Sequence, residues 1–385
     1  MPCKHLVLIL DGLGEPEFPS TLERAATPFL DRLAGEGTVG LLDIHDPDDK
    51  RVPSSERGIL SLCGALDIRD SVARAELLTR GMDLGPSMRC PQWVWLLNPA
   101  RVQDGRLESF VETMPLHTFW EGFLGRASRA EEKCGFRYVP IRREDGAITR
   151  MAAFLPIGET VPPESPVPRI GEFLPDDGGI LGDLIRESSL LVPPHPEFNC
   201  VWPWGMGKWS PESELPPDRK EGRRWMVAAV PLARSIGRCL GWTIPLVPGG
   251  TGDTDTSLES KRDVVLSALS DPKTTHVFCH IEGFDLASHR QEPKEKQSFL
   301  ERFDRVFGPA LLQAIEEGEV DNLWLTCDHL SSPITGNHEQ GPVPFLHRAR
   351  MSRNIPHQGS GRFEESSARR GPRLTIVQWK ECIEL

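Results

Sequence analysis

The stretch LVLILDGLG, residues 6–14, decides the fold, because an unbroken aliphatic run ends there in Asp11 and two glycines. A short run that is apolar at every position is typical of a strand buried on both faces of a parallel sheet. The Asp-Gly-Leu-Gly sequence predicts a turn at the carboxyl end of this strand. Beyond it, Thr27 and Pro28 predict the start of a helix that ends near Gly35, since proline is tolerated in a first helical turn.

The C-terminal part of the chain repeats this alternation of strands and helices. The sequence predicts strands at residues 242–247, 276–281 and 323–326, and helices at residues 226–240, 259–269 and 299–317. Strands that alternate with helices indicate an α/β fold with a doubly wound, mostly parallel sheet. The polar segment 348–370 is expected to be a loop.

The middle of the chain has a different character. Prolines and tryptophans concentrate between residues 91 and 223, and few periodic segments are visible there. We therefore expect a smaller inserted α+β domain at residues 91–223, made mainly of strands and loops. The core domain is expected to be discontinuous, with residues 1–90 and 224–385 forming one unit.

Composition limits the partners of this chain. With 56 acidic and 44 basic residues among 385, the formal net charge is −12, which argues against nucleic acid or an anionic membrane as a partner. A small phosphorylated substrate is compatible with this net negative charge, because bound divalent cations can reverse the charge locally. The apolar run at residues 6–10 is too short for a membrane span or a signal segment. Nine singly spaced cysteines indicate reduced thiols in a cytoplasmic protein.

Candidate metal ligands follow three of the predicted strands. The carboxyl ends of parallel strands are where ligands gather in such sheets. Asp285 and His289 are spaced i, i+4, which would place both side chains on one face of a helix. The candidates are Asp11 after the first strand, Asp285 and His289 after the second, and Asp328, His329 and His338 after the third.

This mixture of carboxylates and imidazoles suits manganese, zinc or iron better than calcium. Two such ions about 4 Å apart are suited to in-line phosphoryl transfer. The nucleophile would then be a hydroxyl at a helix N-terminus, because a helix N-terminus attracts phosphate. Ser54 and Ser55 are the candidates, since they precede the apolar helical run at residues 59–62. On spacing alone, a simple helix-capping role for these serines is the competing interpretation.

Several motifs in the same order make the chain similar to a known family. It resembles the archaeal-type cofactor-independent (2,3-bisphosphoglycerate-independent) phosphoglycerate mutases, members of the alkaline phosphatase superfamily. The resemblance covers about residues 5–90 and 199–345. The matching segments are residues 8–14, 22–34, 199–208, 248–256, 280–289 and 326–344.

The resemblance implies an alkaline-phosphatase-like core that holds two divalent ions, with manganese expected and magnesium, zinc or cobalt as alternatives. It implies that Ser55 is the nucleophile, which takes the phosphoryl group of 3-phosphoglycerate as phosphoserine and returns it to give 2-phosphoglycerate. The implied activity is that of an isomerase of glycolysis. The implied ligands are Asp11, Ser55, Asp328 and His329 for one ion, and Asp285, His289 and His338 for the other.

The resemblance also implies substrate-binding arginines and a closing lid. Arg74 and Arg89 stand where the family has arginines on the substrate side, although a surface salt-bridge role is an equal alternative for both. The inserted domain would close over the site and exclude water. The sequence leaves open whether the protein forms a homo-oligomer.

Three departures from the family pattern affect substrate handling. Ile59 replaces a histidine four residues after Ser55, and residues 73–75 read Ala-Arg-Ala where the family has Gly-Arg-Gly. Arg234 replaces a lysine; it can stabilise charge on a phosphoryl group but cannot carry protons. The alternatives are therefore a metal-dependent phosphatase or phosphonate hydrolase, another phosphotransferase, or a metal-binding homologue without mutase activity.

Overall fold

The computed structural model describes most of the chain and divides it into two compact units. The described residues are 3–44, 52–65, 73–80, 82, 84, 90–111, 116–130, 135–143, 146–158, 160–165, 168–174, 178–210, 222–350 and 361–385. One unit comprises Met1–Ser71 and Pro217–Leu385, and the other comprises Val72–Pro216.

The elements follow one another along the chain in three blocks. The first unit begins with β1 (His5–Leu10), α1 (Thr21–Arg24), α2 (Pro28–Gly35), β2 (Thr38–Asp43) and α3 (Ser55–Leu62). The second unit contains α4 (Arg74–Thr79), β3 (Gln92–Gln103), β4 (Arg106–Phe110), α5 (His117–Ala130), β5 (Arg137–Arg142), β6 (Ile148–Pro156), α6 (Ile180–Leu190) and β7 (Cys200–Trp209). The first unit then resumes with β8 (Arg223–Val227), α7 (Pro231–Cys239), α8 (Leu258–Ser270), β9 (Thr274–Ile281), α9 (Gly283–His289), α10 (Pro293–Glu316), β10 (Asn322–Thr326), β11 (Leu330–Ser331), β12 (His338–Glu339), β13 (Val343–Ala349), α11 (Glu365–Ala368), β14 (Arg373–Thr375) and α12 (Ile376–Cys382).

The first unit is built on a seven-stranded sheet in the order β14-β2-β13-β10-β1-β9-β8. Only β13 runs antiparallel to its neighbours, so the predicted α/β class with a mostly parallel sheet is confirmed. The aliphatic run of β1 lies in the middle of this sheet, and every residue of the strand is buried. Ile9 pairs with Thr326 of β10 and with His280 of β9, so the carboxyl ends of these three strands lie side by side.

The second unit is an antiparallel sheet of β4, β3, β6 and β5, with β7 also paired to β3. This unit also contains the helices α5 and α6, as the predicted α+β class requires. In α5, Phe119, Phe123 and Ala127 recur every four residues and are buried with Trp120 in the aromatic core. That helical spacing was present in the sequence among the more conspicuous prolines and tryptophans.

Two predicted elements of the first unit are wrong. Residues 226–240 were expected to be one helix, but β8 occupies Arg223–Val227 and α7 starts only at Pro231. The apolar residues of β8 pair with β9 and are therefore buried by sheet formation rather than by a helix face. Residues 242–247 form no strand; Thr243 makes a single bridge to Trp225.

The expected loop at residues 348–370 is also only partly correct. Residues 351–360 lie outside the described residues, but residues 361–370 include α11. Phe363 and Ala368 are buried there, and so is the carboxyl group of Glu365. Among the described residues, no helix has the length and apolar character needed to cross a membrane.

Candidate active site

The turn after β1 brings the strand ends into contact. The amide of Asp11 donates to Ile281 O at 3.0 Å, and the amide of Gly12 donates to Asp328 Oδ1 at 3.3 Å. Gly12 has φ +63°, and a Cβ there would lie 2.7 Å from Ser331 Oγ and 2.8 Å from Asp285 Oδ1. Glycine is therefore required for this turn to approach the polar side chains of the neighbouring strand ends.

A first group of polar side chains surrounds His329. Its Nε2 lies 3.2 Å from Asp11 Oδ1, 3.5 Å from Asp328 Oδ2 and 3.2 Å from Ser55 Oγ. All four side chains are buried. The structure thus brings together the four residues expected to hold one ion.

A second group consists of Asp285, His289 and His338. The two Nε2 atoms lie 3.2 Å apart, and Asp285 oxygens lie 3.1 Å from His289 Nε2 and 3.4 Å from His338 Nε2. Asp285 and His289 both belong to α9, one helical turn apart as expected. The structure therefore also brings together the residues expected to hold the other ion.

The hydrogen bonds of the two histidines show that this group suits a cation. His289 Nδ1 lies 2.8 Å from Gly336 O, and His338 Nδ1 lies 2.9 Å from Pro53 O. Because a carbonyl only accepts, each Nδ1 carries the hydrogen, and in the neutral ring Nε2 presents a lone pair. Two lone pairs and a carboxylate then face one point, an arrangement that a bound metal ion stabilises.

The carboxylates of both groups also indicate that a cation would bind here. Burial, together with the nearby charges of Asp328 and Asp285, raises the pKa of Asp11 well above its usual range. Burial also acts to raise the pKa of Asp285, but the imidazoles of His338 and His289 lower it well below the usual range. Asp11 Oδ1 and Asp328 Oδ2 are buried and accept no hydrogen bond from a described donor. A divalent cation would relieve this concentration of negative charge.

Ser331 connects the two groups and was not predicted. Its hydroxyl donates to Asp285 Oδ1 at 2.5 Å and lies 3.2 Å from His329 Nδ1. The rings of His329 and His338 stack with centroids 3.8 Å apart. Donor atoms of Asp11, Asp328 and His329 lie within 4.8 Å of one another, and so do those of Asp285, His329 and His338. The two groups are thus adjacent, and His329 lies close to the donors of both.

A buried chain of charged residues behind Asp11 was also missed. His280 Nε2 lies 3.4 Å from Asp11 Oδ2, and its Nδ1 lies 2.9 Å from Glu282 Oε1. Lys261 Nζ then lies 3.1 Å from Glu282 Oε2. Burial opposes ionisation of Glu282, but Lys261 and His280 lower its pKa to about 2. The available signal was His280 and Glu282 at the end of a buried strand.

Ser55 is positioned by close packing of α3 on the end of β10. It is the first residue of that helix, and Ser54 is the N-cap but makes no capping bond with its side chain. A Cβ at Gly58 would lie only 2.4 Å from Asp328 O, so glycine allows α3 to approach this strand end. Ile59, which stands in place of the family's histidine, is fully buried in the core.

Two of the three arginines expected to act on substrate lie within the described residues. Arg234 is buried in α7, where its Nη1 donates to Ala228 O at 3.0 Å and to Pro245 O at 2.9 Å. Arg74 belongs to the second unit, with its guanidinium 5.4 Å from the ring centroid of Trp204. Arg89 lies outside the described residues.

Comparison with known proteins agrees with this geometry. A family model described as the metalloenzyme superfamily matches residues 3–372. The 2,3-bisphosphoglycerate-independent phosphoglycerate mutase of Methanobrevibacter smithii is 27% identical over 375 residues, which cover 89% of this chain and 88% of that protein. A probable enzyme of the same name from Geobacter sulfurreducens is 28% identical and covers 95% of each chain.

Solved structures share the fold. The PH0037 protein of Pyrococcus horikoshii matches with a TM-score of 0.74 and 22% identity over 100% of this chain and 97% of its own. The cofactor-independent phosphoglycerate mutase of Thermoplasma acidophilum matches with a TM-score of 0.51 and 16% identity over 98% of both chains.

These similarities confirm the resemblance to the cofactor-independent phosphoglycerate mutases and the prediction of an enzyme of that isomerase class. The buried donor groups support binding of divalent metal. Because the family match extends over nearly the whole chain, including all three strand ends that supply these donors, the chain belongs to the metalloenzyme superfamily.

Proposed function

We propose that this protein transfers a phosphoryl group through Ser55 at a two-metal centre and thereby interconverts 3-phosphoglycerate and 2-phosphoglycerate. The observation that carries the proposal is the position of the Ser55 hydroxyl. It stands at the N-terminus of α3 with its Oγ 3.2 Å from His329 Nε2, among buried carboxylates. Relatives named as phosphoglycerate mutases support this substrate.

The chain offers two sets of donors for divalent ions, for which manganese is the proposed metal. Asp11, Ser55, Asp328 and His329 would hold one ion, and Asp285, His289 and His338 the other. When bound, such ions lower the pKa of a coordinated hydroxyl and neutralise charge on transferring phosphoryl oxygens.

The protein's own groups would act as follows. Ser55 Oγ loses its proton and attacks phosphorus as the bond to the substrate's 3-oxygen breaks, and that oxygen takes up a proton. The glycerate then turns, its 2-hydroxyl loses a proton and attacks the phosphoserine, and the departing Ser55 Oγ is reprotonated. The N-terminus of α3 favours the phosphoryl charge near Ser55.

The substrate-side arginines belong to the same proposal. Arg74 and Arg89 would bind the carboxylate and phosphate of the substrate through paired N–H groups. Arg234 would stabilise phosphoryl charge, and the second unit would keep water away from the phosphoserine. The free thiols of the described cysteines support a reducing, cytoplasmic setting.

Phosphorus NMR of 3-phosphoglycerate after incubation with metal-loaded protein tests the proposal. Samples are treated with chelator before measurement, because bound manganese would broaden the signals. We expect 2-phosphoglycerate from the wild type, none from Ser55→Ala, and no matching release of phosphate. Unreacted substrate, or product formed by Ser55→Ala, would contradict the proposed mutase.

Hydrolysis is the second candidate, and the side chain at position 234 favours it. Its Nη1 is engaged by two main-chain carbonyls, and an arginine cannot carry protons as a lysine can. If removal of the proton from the glycerate 2-hydroxyl is impaired, water would take the phosphoryl group from the phosphoserine instead. Release of phosphate equal to the loss of substrate would identify this activity in the same experiment.

A further inference from the structure

Three residues gather at the amino end of the central sheet, the edge opposite the proposed catalytic centre. They are Cys3 just before β1, His5 at its start, and Glu384 just after α12. The Cys3 Sγ, one ring nitrogen of His5 and a carboxylate oxygen of Glu384 lie within 4.8 Å of one another. His5 Nε2 and Glu384 Oε2 are 3.9 Å apart.

Pairing in the sheet explains why the first two of these residues meet in a fixed arrangement. Only one residue separates Cys3 from His5, so an extended chain presents both on one side. His5 is in register with Asn322 of β10 and with His276 of β9. The Asn322 side-chain amide donates to Cys3 Sγ at 3.2 Å, which holds the sulfur at this end of the sheet.

His276 fixes the third residue. Its ring stacks on His5 with centroids 4.8 Å apart and an interplanar angle of 8°. Its Nε2 donates to Ile383 O at 2.7 Å, which anchors the backbone immediately before Glu384. Glu384 has φ +58°, a conformation that favours glycine, yet a carboxylate is placed there.

We propose that Cys3, His5 and Glu384 bind a transition-metal ion, with zinc as the expected metal and water completing its coordination. Thiolate, imidazole and carboxylate are the three donor types that zinc accepts in proteins. Tetrahedral bonds of about 2.0–2.3 Å separate donors by about 3.3–3.8 Å, so no pair in the group needs to approach by more than about 1.5 Å. His5 is fully buried whereas Glu384 is 55% exposed, so the carboxylate is the group that moves. The ion would link α12 to the central strand.

Cobalt titration of the metal-free protein tests this site independently of phosphoryl transfer. Thiolate bound to cobalt gives a charge-transfer band in the near ultraviolet, and the proposed catalytic centre uses no thiolate. We expect the band in the wild type, its loss in Cys3→Ser, and its retention in Cys239→Ser, a control at another half-buried thiol. Absence of the band in the wild type, or its persistence in Cys3→Ser, would overturn the site.

Two further variants separate the site from the proposed catalytic centre and test its third ligand. His338→Ala should retain the thiolate band, whereas Cys3→Ser should retain phosphoryl transfer. Glu384→Gln should lose the band at cobalt concentrations that saturate the wild type. An unchanged cobalt titration in Glu384→Gln would show that the carboxylate is not a ligand and would refute the three-residue assignment.

Discussion

At the scale of single residues, His280 links a proposed metal ligand to a buried ion pair. Its ring lies between Asp11 and Glu282, and Glu282 in turn pairs with Lys261. We expect His280→Asn to weaken binding of divalent metal by about 10- to 100-fold, as loss of a residue that orients a ligand does elsewhere. Calorimetric titration with manganese measures this, with His117→Asn in the second unit as control. Equal affinities for wild type and His280→Asn would refute the role of His280.

Glu365 provides a prediction about pH. Its burial, reinforced by the charges of Glu23 and Glu15, raises its pKa from 4.5 to about 8, although Ser20 donates to it. Between these values the folded protein holds a proton that the unfolded chain has lost, so the free energy of unfolding falls as pH rises.

The variant Glu365→Gln keeps a carbonyl oxygen at this position and cannot ionise. We expect it to gain stability relative to the wild type as pH rises from about 5 to about 8. Urea unfolding at both ends of this range measures the difference. A constant difference between the two proteins would show that Glu365 ionises normally.

At the scale of elements, the approach of α3 to β10 determines where the Ser55 hydroxyl lies. A methyl group at Gly58 would meet Asp328 O at 2.4 Å, so Gly58→Ala should push the helix away from the strand end. We expect a loss of about 1–3 kcal/mol in unfolding free energy, together with reduced phosphoryl transfer.

Gly125→Ala is the matched control for this prediction. Gly125 lies within α5, and a Cβ there meets nothing within 4 Å. This change should be neutral or should stabilise the protein by up to about 1 kcal/mol, because alanine favours helix. Urea unfolding of both variants gives the comparison; equal effects of the two substitutions would exclude close packing as the cause.

Elements were predictable where one physical signal dominated. β1, β9 and β10 each contain an apolar run because they are buried on both faces, and these runs were visible in the sequence. At residues 226–240, however, the boundary between β8 and α7 depended on which neighbour buries each apolar residue. That information comes from pairing with β9, far along the chain.

The residues of the candidate site likewise divide into those that the sequence predicts and those that it does not. Its carboxylate and imidazole candidates could be predicted because they follow strands whose carboxyl ends converge, whereas Ser55 as a ligand followed only from the resemblance to the mutase family. His280, Ser331 and Lys261 could not, because single polar residues beside apolar runs do not reveal what they face. Their roles depend on contacts between β9, α8 and the turn after β10.

At the scale of the whole molecule, metal removal should affect stability as well as activity. Three buried carboxylates, Asp11, Asp285 and Asp328, lie close together and repel one another without a cation. Chelation should therefore lower the melting temperature, and manganese should restore it. Each ion adds about 2.7 kcal/mol at a concentration one hundred times its dissociation constant. Thermal unfolding with and without chelator measures this, and identical curves would contradict the proposed centre.

The position of β1 has a consequence for synthesis on the ribosome. This strand is made before the second unit, whereas both of its sheet neighbours, β9 and β10, follow the entire second unit. At translation rates of about 5–20 residues per second, its aliphatic run waits tens of seconds without its native partners. The second unit has time to fold during that interval. The nascent first unit meanwhile exposes an aggregation-prone apolar strand of the kind that general chaperones bind. The proposed catalytic ions can bind only after this wait, because the two proposed donor sets are completed when residues 329 and 338 emerge.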